Sequence, residues 1–437
     1  MKKLSYSRII AIGFFVMIML GTVLLMLPVS AQNGEWTSFK DALFTAVSAQ
    51  CVTGLTVVDT AIHWSFFGQI VIILLIQTGG LGFISIGVFF TVMLKKKLSL
   101  SQRALFQESM NTLEISGVAK LTKKIMAGVF AIEAIAAVIL TICFLKNGIE
   151  PLKAVYYGIF HAISAFCNAG FSTVEGNLVP YRHDIVLNVV VMTLITVGGL
   201  GFVVWDDIWK NKWHFKKYML QTKIVLLTTT VITLLGALLL FITEQNTVLP
   251  GMSLPEKITA SFFGVVTART AGFNTVDLGL MSPAGKFVTM LVMFIGGSPG
   301  STAGGIKTTT FIVIIMFMIS NYKGGQTHIF GKRLEDDSIR KATTVCATNL
   351  TLITVATLVI TVMTGLDVTD VLYESISAIS TVGMTTGITT KLGTTGQYIM
   401  ALMMYLGRVG SMSFAVSFFE KKKKVTIGYV TEKISIG

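Results

Sequence analysis

The apolar positions of this chain fall in long unbroken blocks, not in the alternation of half-buried strands or the one-sided stripe of soluble helices. Eight blocks run over about 8–28, 66–94, 122–145, 184–209, 220–243, 286–321, 343–366 and 395–419. Uncharged stretches from Ile9 to Gly34, Ile185 to Trp205, Ile224 to Thr243 and Ala342 to Leu366 each reach the roughly 20 residues that a helix needs to cross a bilayer. The pattern predicts an all-α integral membrane protein with eight crossings. Composition agrees, with 13% charged residues where a soluble domain carries roughly 25%. A soluble enzyme, a nucleic-acid-binding domain and a disordered chain are excluded.

Between paired blocks lies a motif that recurs four times. It reads Ala42-Leu-Phe-Thr-Ala-Val-Ser-Ala-Gln-Cys-Val-Thr-Gly54, then Gly158-Ile-Phe-His-Ala-Ile-Ser-Ala-Phe-Cys-Asn-Ala-Gly170. The third copy is Ser261-Phe-Phe-Gly-Val-Val-Thr-Ala-Arg-Thr-Ala-Gly272 and the fourth Tyr373-Glu-Ser-Ile-Ser-Ala-Ile-Ser-Thr-Val-Gly383. The glycines are 116, 102 and 111 residues apart. Each unit reads crossing, short segment, glycine, crossing. The repeats divide the chain into 1–95, 96–212 with a cytoplasmic lead-in, 213–322, and 323–437 with a cytoplasmic tail. A segment too short to cross survives at membrane depth only when buried in protein or lining water. Glycine permits backbone that turns carbonyls inward, and such carbonyls can replace a cation's hydration shell. Four parallel units around one axis would form a four-fold ring within a single chain. One such segment would read as a surface turn; four in the same phase do not.

A second glycine follows each first one: Gly79, Gly198, Gly296 and Gly407. At Gly79 and Gly198 the small residues predict close helix packing. Unit three goes further, with Gly296-Gly297-Ser298-Pro299-Gly300-Ser301-Thr302-Ala303-Gly304-Gly305 ahead of Ile306-Lys307. Five glycines and a proline in ten positions cannot remain helical, so an intramembrane loop is expected, either as a movable obstruction or as a rigid kink. It is not a phosphate loop, because Ile306 separates glycine from lysine and no strand precedes it. Arg408 sits within the last block, where an isolated charge costs at least ~2.5 kcal/mol. It should face the bundle interior and pair with carbonyls or a carboxylate; at the level of the loop, pairing with loop carbonyls would make it part of a gate that repels cations. Glu133 is expected to serve packing or a lysine partner. Arg269 should either support the third motif or reach the outer surface.

The net charge is +13. When block ends are assigned to alternating sides, 25 of the 35 basic residues fall on the side of the termini. These include Lys95 to Lys97, Lys216, Lys217 and Lys421 to Lys424. Positive loops face the cytoplasm, so both termini are read as cytoplasmic and the excess reports orientation, not a nucleic-acid partner. Twelve of the 22 acidic residues fall on the other side, where they would either attract cations or simply solvate loops. Cys51, Cys143, Cys167 and Cys346 lack metal-site spacing and read as buried small residues. The scattered histidines make no intramembrane catalytic constellation, and His161 reads as a hydrogen-bonded packing residue. A secondary symporter with inverted repeats and a midplane site would put equivalent motifs on opposite sides, and these four fall on one side.

The four glycines, the Ser298-to-Lys307 stretch and Gly407-Arg408 together resemble the Ktr/Trk/HKT superfamily of potassium transporters, within it the KtrB-type membrane subunit of bacterial Ktr systems. The likeness covers almost the whole chain. It implies eight transmembrane helices plus four re-entrant pore helices around one central pore, and K+ uptake across the plasma membrane. It implies a backbone selectivity filter at Val52-Thr53-Gly54, Asn168-Ala169-Gly170, Thr270-Ala271-Gly272 and Thr381-Val382-Gly383. Glycine in all four filters goes with potassium preference in this superfamily, and serine in the first with sodium. It implies a gate made of Gly296–Gly305, Lys307 and Arg408, with Na+ as an activating or coupled ion and no organic cofactor in this chain. It also implies a homodimer docked on a cytosolic regulatory ring with nucleotide-binding (ATP/ADP) domains, consistent with the lack of a dinucleotide fingerprint here.

Overall fold

The computed structural model describes residues 5–94, 96, 98–110, 117–212 and 214–410. Lys2, Lys3, Lys95, Lys97, Lys421 to Lys424, Lys433 and the end of the 395–419 block lie outside the described residues. Helices dominate. Among the described residues four are long and apolar enough to cross a bilayer: α1 (Tyr6–Met26), α6 (Val118–Lys146), α10 (Leu220–Thr243) and α14 (Asp336–Thr364). Each is followed by a short helix: α2 (Phe39–Gln50), α7 (Pro151–Phe166), α11 (Leu254–Ala268) and α15 (Val368–Ile379). A return helix completes each unit: α3 (Phe66–Leu81), α8 (Ile185–Gly199), α12 (Pro283–Phe294) and α16 (Gly393–Val409). Three of these are continued by α4 (Phe83–Met93), α9 (Phe202–Asn211) and α13 (Thr308–Tyr322). Helix α5 (Leu100–Met110) and a small hairpin, β1 (His328–Ile329) with β2 (Lys332–Arg333), lie in connections.

The packing is cyclic. Each long helix lies against its own short helix: α1 on α2, α6 on α7, α10 on α11, α14 on α15. Each return helix also packs on the short helix of the next unit: α3 on α7, α8 on α11, α12 on α15, and α16 back on α2. The last contact closes the ring.

The burial pattern departs from a soluble protein's on the outside, although the core is apolar. Phe15, Val16, Leu20 and Val23 of α1 and Leu234, Leu235, Leu238 and Ile242 of α10 are exposed. Ser48, Ser164, Ser377, Gln50, His161 and Glu374 are buried. Apolar side chains facing outward, with hydroxyl, amide and ionisable side chains held inside beside the apolar core, suit hydrocarbon as the surrounding solvent.

Two expected continuous helices are broken. The 66–94 block bends by 88° and the 184–209 block by 94°. The breaks fall at Gly82 (φ 77°, ψ 124°) and Gly201 (φ 93°, ψ 140°), a conformation reserved for glycine. Gly410, three residues after Gly407 as Gly82 is after Gly79, has the same geometry (φ 90°, ψ 118°). Hydropathy cannot register these bends, because apolar residues continue on both sides. The packing expected at Gly79 and Gly198 is present. A Cβ at either would overlap the carbonyl oxygen ending the unit's short helix, Gln50 or Phe166, and Gly407 stands likewise against Ile379.

Candidate functional site

The site begins with the way the short helices start and stop. Ser38, Asp367 and the Ser253–Glu256 capping box hold the first turns of α2, α15 and α11. Capping satisfies otherwise orphaned N–H groups. Asp41, Glu256 and Asp370 lie in those first turns, and Asp184 caps α8. The hydrogen bond from His183, then that from the Ser253 backbone, holds the Glu256 carboxyl down at about 2. Much of the acidic excess on this side therefore serves helix starts. Glu244 and Glu374, two of the twelve acidic residues assigned to this side from their positions, are buried and do not solvate loops.

All four short helices stop immediately before the predicted filter, at Gln50, Phe166, Ala268 and Ile379. The residue two before each glycine then has positive φ: Val52 58°, Asn168 61°, Thr270 73° and Thr381 50°. The glycines follow with 98°, 70°, 80° and 90°. A non-glycine residue in this region is uncommon, and four at one repeat position mark a common geometry. The N–H groups point back to each unit's own helix. Thr53, Ala169 and Val382 donate to the carbonyls of Ser48, Ser164 and Ser377, and Ala271 donates to that of Thr267, each at 2.8 Å. Hydroxyls add a second tie. Ser48 and Ser377 accept from the N–H of Gly54 (3.1 Å) and Gly383 (3.0 Å), while Ser164 and Thr267 donate to the carbonyls of Phe171 (2.7 Å) and Phe273 (2.6 Å).

With the amides turned back, the carbonyls are left over. Among the described residues, the carbonyl oxygens of Val52, Thr53, Asn168, Ala169, Thr270, Ala271, Thr381 and Val382 accept no protein hydrogen bond. The glycines bring these strands together. A Cβ at Gly54 would lie 2.6 Å from the Ala169 oxygen, at Gly170 2.5 Å from that of Ala271, and at Gly272 2.5 Å from that of Val382. At Gly383 it would strike the Thr53 oxygen, and Gly54 Cα would lie 2.9 Å away. The order 54, 170, 272, 383 returns to 54, a closed ring with no room for a side chain. The C-terminal ends of four helix dipoles converge on it, which favours positive charge.

A cavity of about 240 Å³ lies on one side of the ring, lined by all four glycines with Asp59 as its one carboxylate. A second, of about 210 Å³, opens on the other side among Gly79–Ser85, the 300–305 stretch, Lys307 and Arg408. The Gly296–Gly305 loop lines this second cavity with Gly300, Ser301, Ala303 and Gly305. It is tied to unit two by Ser298 N–H to Gly199 O (3.0 Å), Thr302 Oγ1 to Phe166 O (3.2 Å) and Phe202 N–H to Gly300 O (2.9 Å). Gly304 lies against the Thr381 side chain beneath the fourth strand. Lys307 Nζ donates to the carbonyls of Ala303 (2.7 Å) and Gly304 (3.3 Å).

Arg408 is where these parts meet. One guanidinium nitrogen donates to Thr302 O of the loop; the other donates to Gly79 O (2.6 Å) and Gly80 O (3.2 Å) of unit one. Arg408 thus bridges three of the four units. Two sequence alternatives resolve here. Arg269 does not reach the surface; it is buried, with Nη2 donating to Thr229 at 3.2 Å. Glu133 has no lysine partner among the described residues. It accepts from the Gln77 amide at 3.2 and 3.1 Å, and Gln77 in turn accepts from the Cys167 thiol at 3.3 Å. Nothing in the spacing of Gln77 and Glu133 announced that pair. Cys51, Cys143, Cys167 and Cys346 are free thiols.

The chain matches the TrkH family model, described as a cation transport protein, over residues 7–426. It is 40% identical to the potassium/sodium uptake protein NtpJ of Enterococcus hirae over 100% of this chain and 97% of that one. It is also 40% identical to the Ktr system potassium uptake protein B of Bacillus subtilis, with the same coverage. The counterpart from Vibrio alginolyticus is 33% identical over 93% of this chain and 90% of its own. The crystal structure of the potassium transporter TrkH from Vibrio parahaemolyticus superposes with a TM-score of 0.72 at 17% identity, covering 93% of this chain and 85% of that one.

Proposed function

The chain belongs to the TrkH family of cation transport proteins, and on that premise we propose that it is the ion-translocating subunit of a K+ uptake system. It is a multi-pass membrane protein, and the relatives it matches are ion transporters, not enzymes. The single observation that carries the reading is the ring of four glycines with eight carbonyl oxygens that no donor among the described residues satisfies. Oxygens so placed can replace the hydration shell of a monovalent cation. Uptake proteins for potassium, or potassium and sodium, are what the 40% identical relatives are named as.

In this reading the four units, 1–95, 96–212, 213–322 and 323–437, supply eight spans and four re-entrant pore helices, α2, α7, α11 and α15. Filter residues are the triplets ending at Gly54, Gly170, Gly272 and Gly383. Membrane potential draws K+ from the cavity at Asp59, which faces outside, through the ring. Both termini are cytoplasmic. The Gly296–Gly305 loop lies across the path, and Arg408 and Lys307 add positive charge there, which opposes cation passage. Opening requires the loop to move and the Arg408–Thr302 bond to break. Two relatives are named as component B of a Ktr system. A lettered component of a system supports a partner subunit; in our reading the chain is a homodimer docked on a cytosolic regulatory ring with nucleotide-binding (ATP/ADP) domains that biases the loop. Na+ acts as an activating or coupled ion.

The test is Rb+ or K+ uptake in cells lacking their own potassium uptake, with Gly54→Ser alongside. The wild type should restore uptake and discriminate against Na+. The serine Cβ would crowd the Ala169 oxygen from a backbone at φ 98°, so discrimination should fall. Retained selectivity in that variant would defeat the carbonyl-filter assignment.

A further inference from the structure

Nine residues before each filter glycine, the four pore helices carry Thr45, His161, Phe263 and Glu374. Two of these are ionisable, and they belong to units two and four, which stand opposite one another in the ring. Both are 0% exposed. Burying an ionisable group is costly unless hydrogen bonds compensate, so their partners matter.

The two sites are built alike. The His161 Nδ1 lies 2.7 Å from the Tyr157 carbonyl and Nε2 lies 2.9 Å from Ser172 Oγ. A carbonyl only accepts, so Nδ1 carries the proton; the one proton of the Ser172 hydroxyl has two acceptors in reach, Nε2 at 2.9 Å and the Val174 carbonyl at 3.3 Å, and the shorter contact assigns it to Nε2. Ser172 is two residues beyond Gly170, and it also receives the Val174 N–H at 3.0 Å. In unit four, Glu374 Oε1 accepts from the Thr389 hydroxyl, and Thr389 lies 3.0 Å from Thr385 Oγ1. Thr385 is two residues beyond Gly383 and receives the Gly387 N–H at 2.9 Å. Each ionisable group thus ties the pore helix to the same point, the chain just leaving the filter. At this position unit one turns its hydroxyl back to its own helix, Thr45 to Asp41 O at 2.8 Å, and unit three has phenylalanine.

We propose that His161 and Glu374 are opposed positioning residues that set the width of the glycine ring, and with it the discrimination between K+ and Na+. The ring has no side chains of its own to fix its diameter. Its inner edge is held by the serine and threonine hydroxyls six or five residues before the glycines. Its outer edge is held across one diagonal by His161–Ser172 and Glu374–Thr389–Thr385. Loss of either brace lets one side of the ring relax, so a smaller ion is coordinated as well as a larger one. The proposal rests on the filter reading and adds to it which residues behind the filter tune it.

The experiment measures 86Rb+ uptake and its inhibition by Na+ in potassium-uptake-deficient cells, normalised to membrane-inserted protein. The variants are His161→Ala, Glu374→Ala, Ser172→Ala and Thr385→Val, with Glu374→Gln and His161→Gln as conservative replacements. Each alanine or valine variant should lower the Rb+/Na+ ratio about fivefold, the scale of one hydrogen bond lost. His161→Ala with Ser172→Ala should lower it no further than either alone, because both remove one bond. Glu374→Gln keeps an acceptor for Thr389 and should restore the ratio. A ratio is independent of how much protein folds, and the Ser172 and Thr385 variants leave the buried groups in place. An unchanged ratio in all four variants, with only the uptake rate altered, would overturn the brace while leaving the filter reading standing. A wild type that shows no preference for Rb+ would overturn both.

Discussion

Arg408 offers the sharpest quantitative test of the proposed gate. Arg408→Ala removes three hydrogen bonds to carbonyl oxygens, and they are not equivalent. Those to Gly79 and Gly80 join α16 to α3, and nothing in the proposed opening requires them to break. The one to Thr302 joins α16 to the loop and must break when the loop moves. Only the interaction that differs between the two states shifts the balance between them. A hydrogen bond from a charged donor contributes ~1.5–3 kcal/mol, which moves the closed-to-open ratio by roughly 10- to 150-fold. Removing the positive charge from the path acts in the same direction. Flux per molecule should therefore rise, up to the point where the open form predominates. Arg408→Lys separates the two effects, because a single ammonium keeps the charge but cannot hold carbonyls on two sides. It should fall between wild type and alanine. The assay is 86Rb+ flux into proteoliposomes containing a measured amount of purified protein at fixed membrane potential. Flux per molecule unchanged or reduced in Arg408→Ala, in protein of normal elution and melting behaviour, would refute the argument that this bond holds the path shut.

Gly383→Ala should be more damaging than Gly54→Ala, because its Cβ strikes the Thr53 oxygen harder than a Gly54 Cβ strikes Ala169. Paired measurements of uptake and inserted protein should show the larger loss at Gly383, and the reverse order would contradict the closed ring. Gln77→Leu leaves the buried Glu133 carboxyl without its amide donor and should cost about 1–3 kcal/mol of stability. Thermal melting of detergent-purified protein, with Glu133→Leu/Gln77→Leu together recovering much of the loss, is the check.

The chain's own order of residues suffices for its class. Blocks of apolar residues require hydrocarbon around them, and four copies of one motif in a common phase require a common geometry, whatever the rest of the chain does. The Gly296–Gly305 interruption is likewise local, since five glycines and a proline forbid a helix without help from any neighbour. Contacts between distant units are different, because no local periodicity encodes them. Arg408 meets Gly79 across 329 positions, and Gln77 meets Glu133 across 56. The 88° and 94° bends at Gly82 and Gly201 depend on glycine dihedrals that hydropathy does not register, and the Phe202 N–H exposed by the second is satisfied by the loop of another unit. Whether Glu374 faces a watery mouth or a sealed interior depends on what packs over α15, and only the folded chain shows it sealed. The same holds for the proposed filter. Four glycines can be read from the chain, but that they meet, leave no space for Cβ atoms and keep eight carbonyls without partners among the described residues follows from closing the ring of helices between α16 and α2.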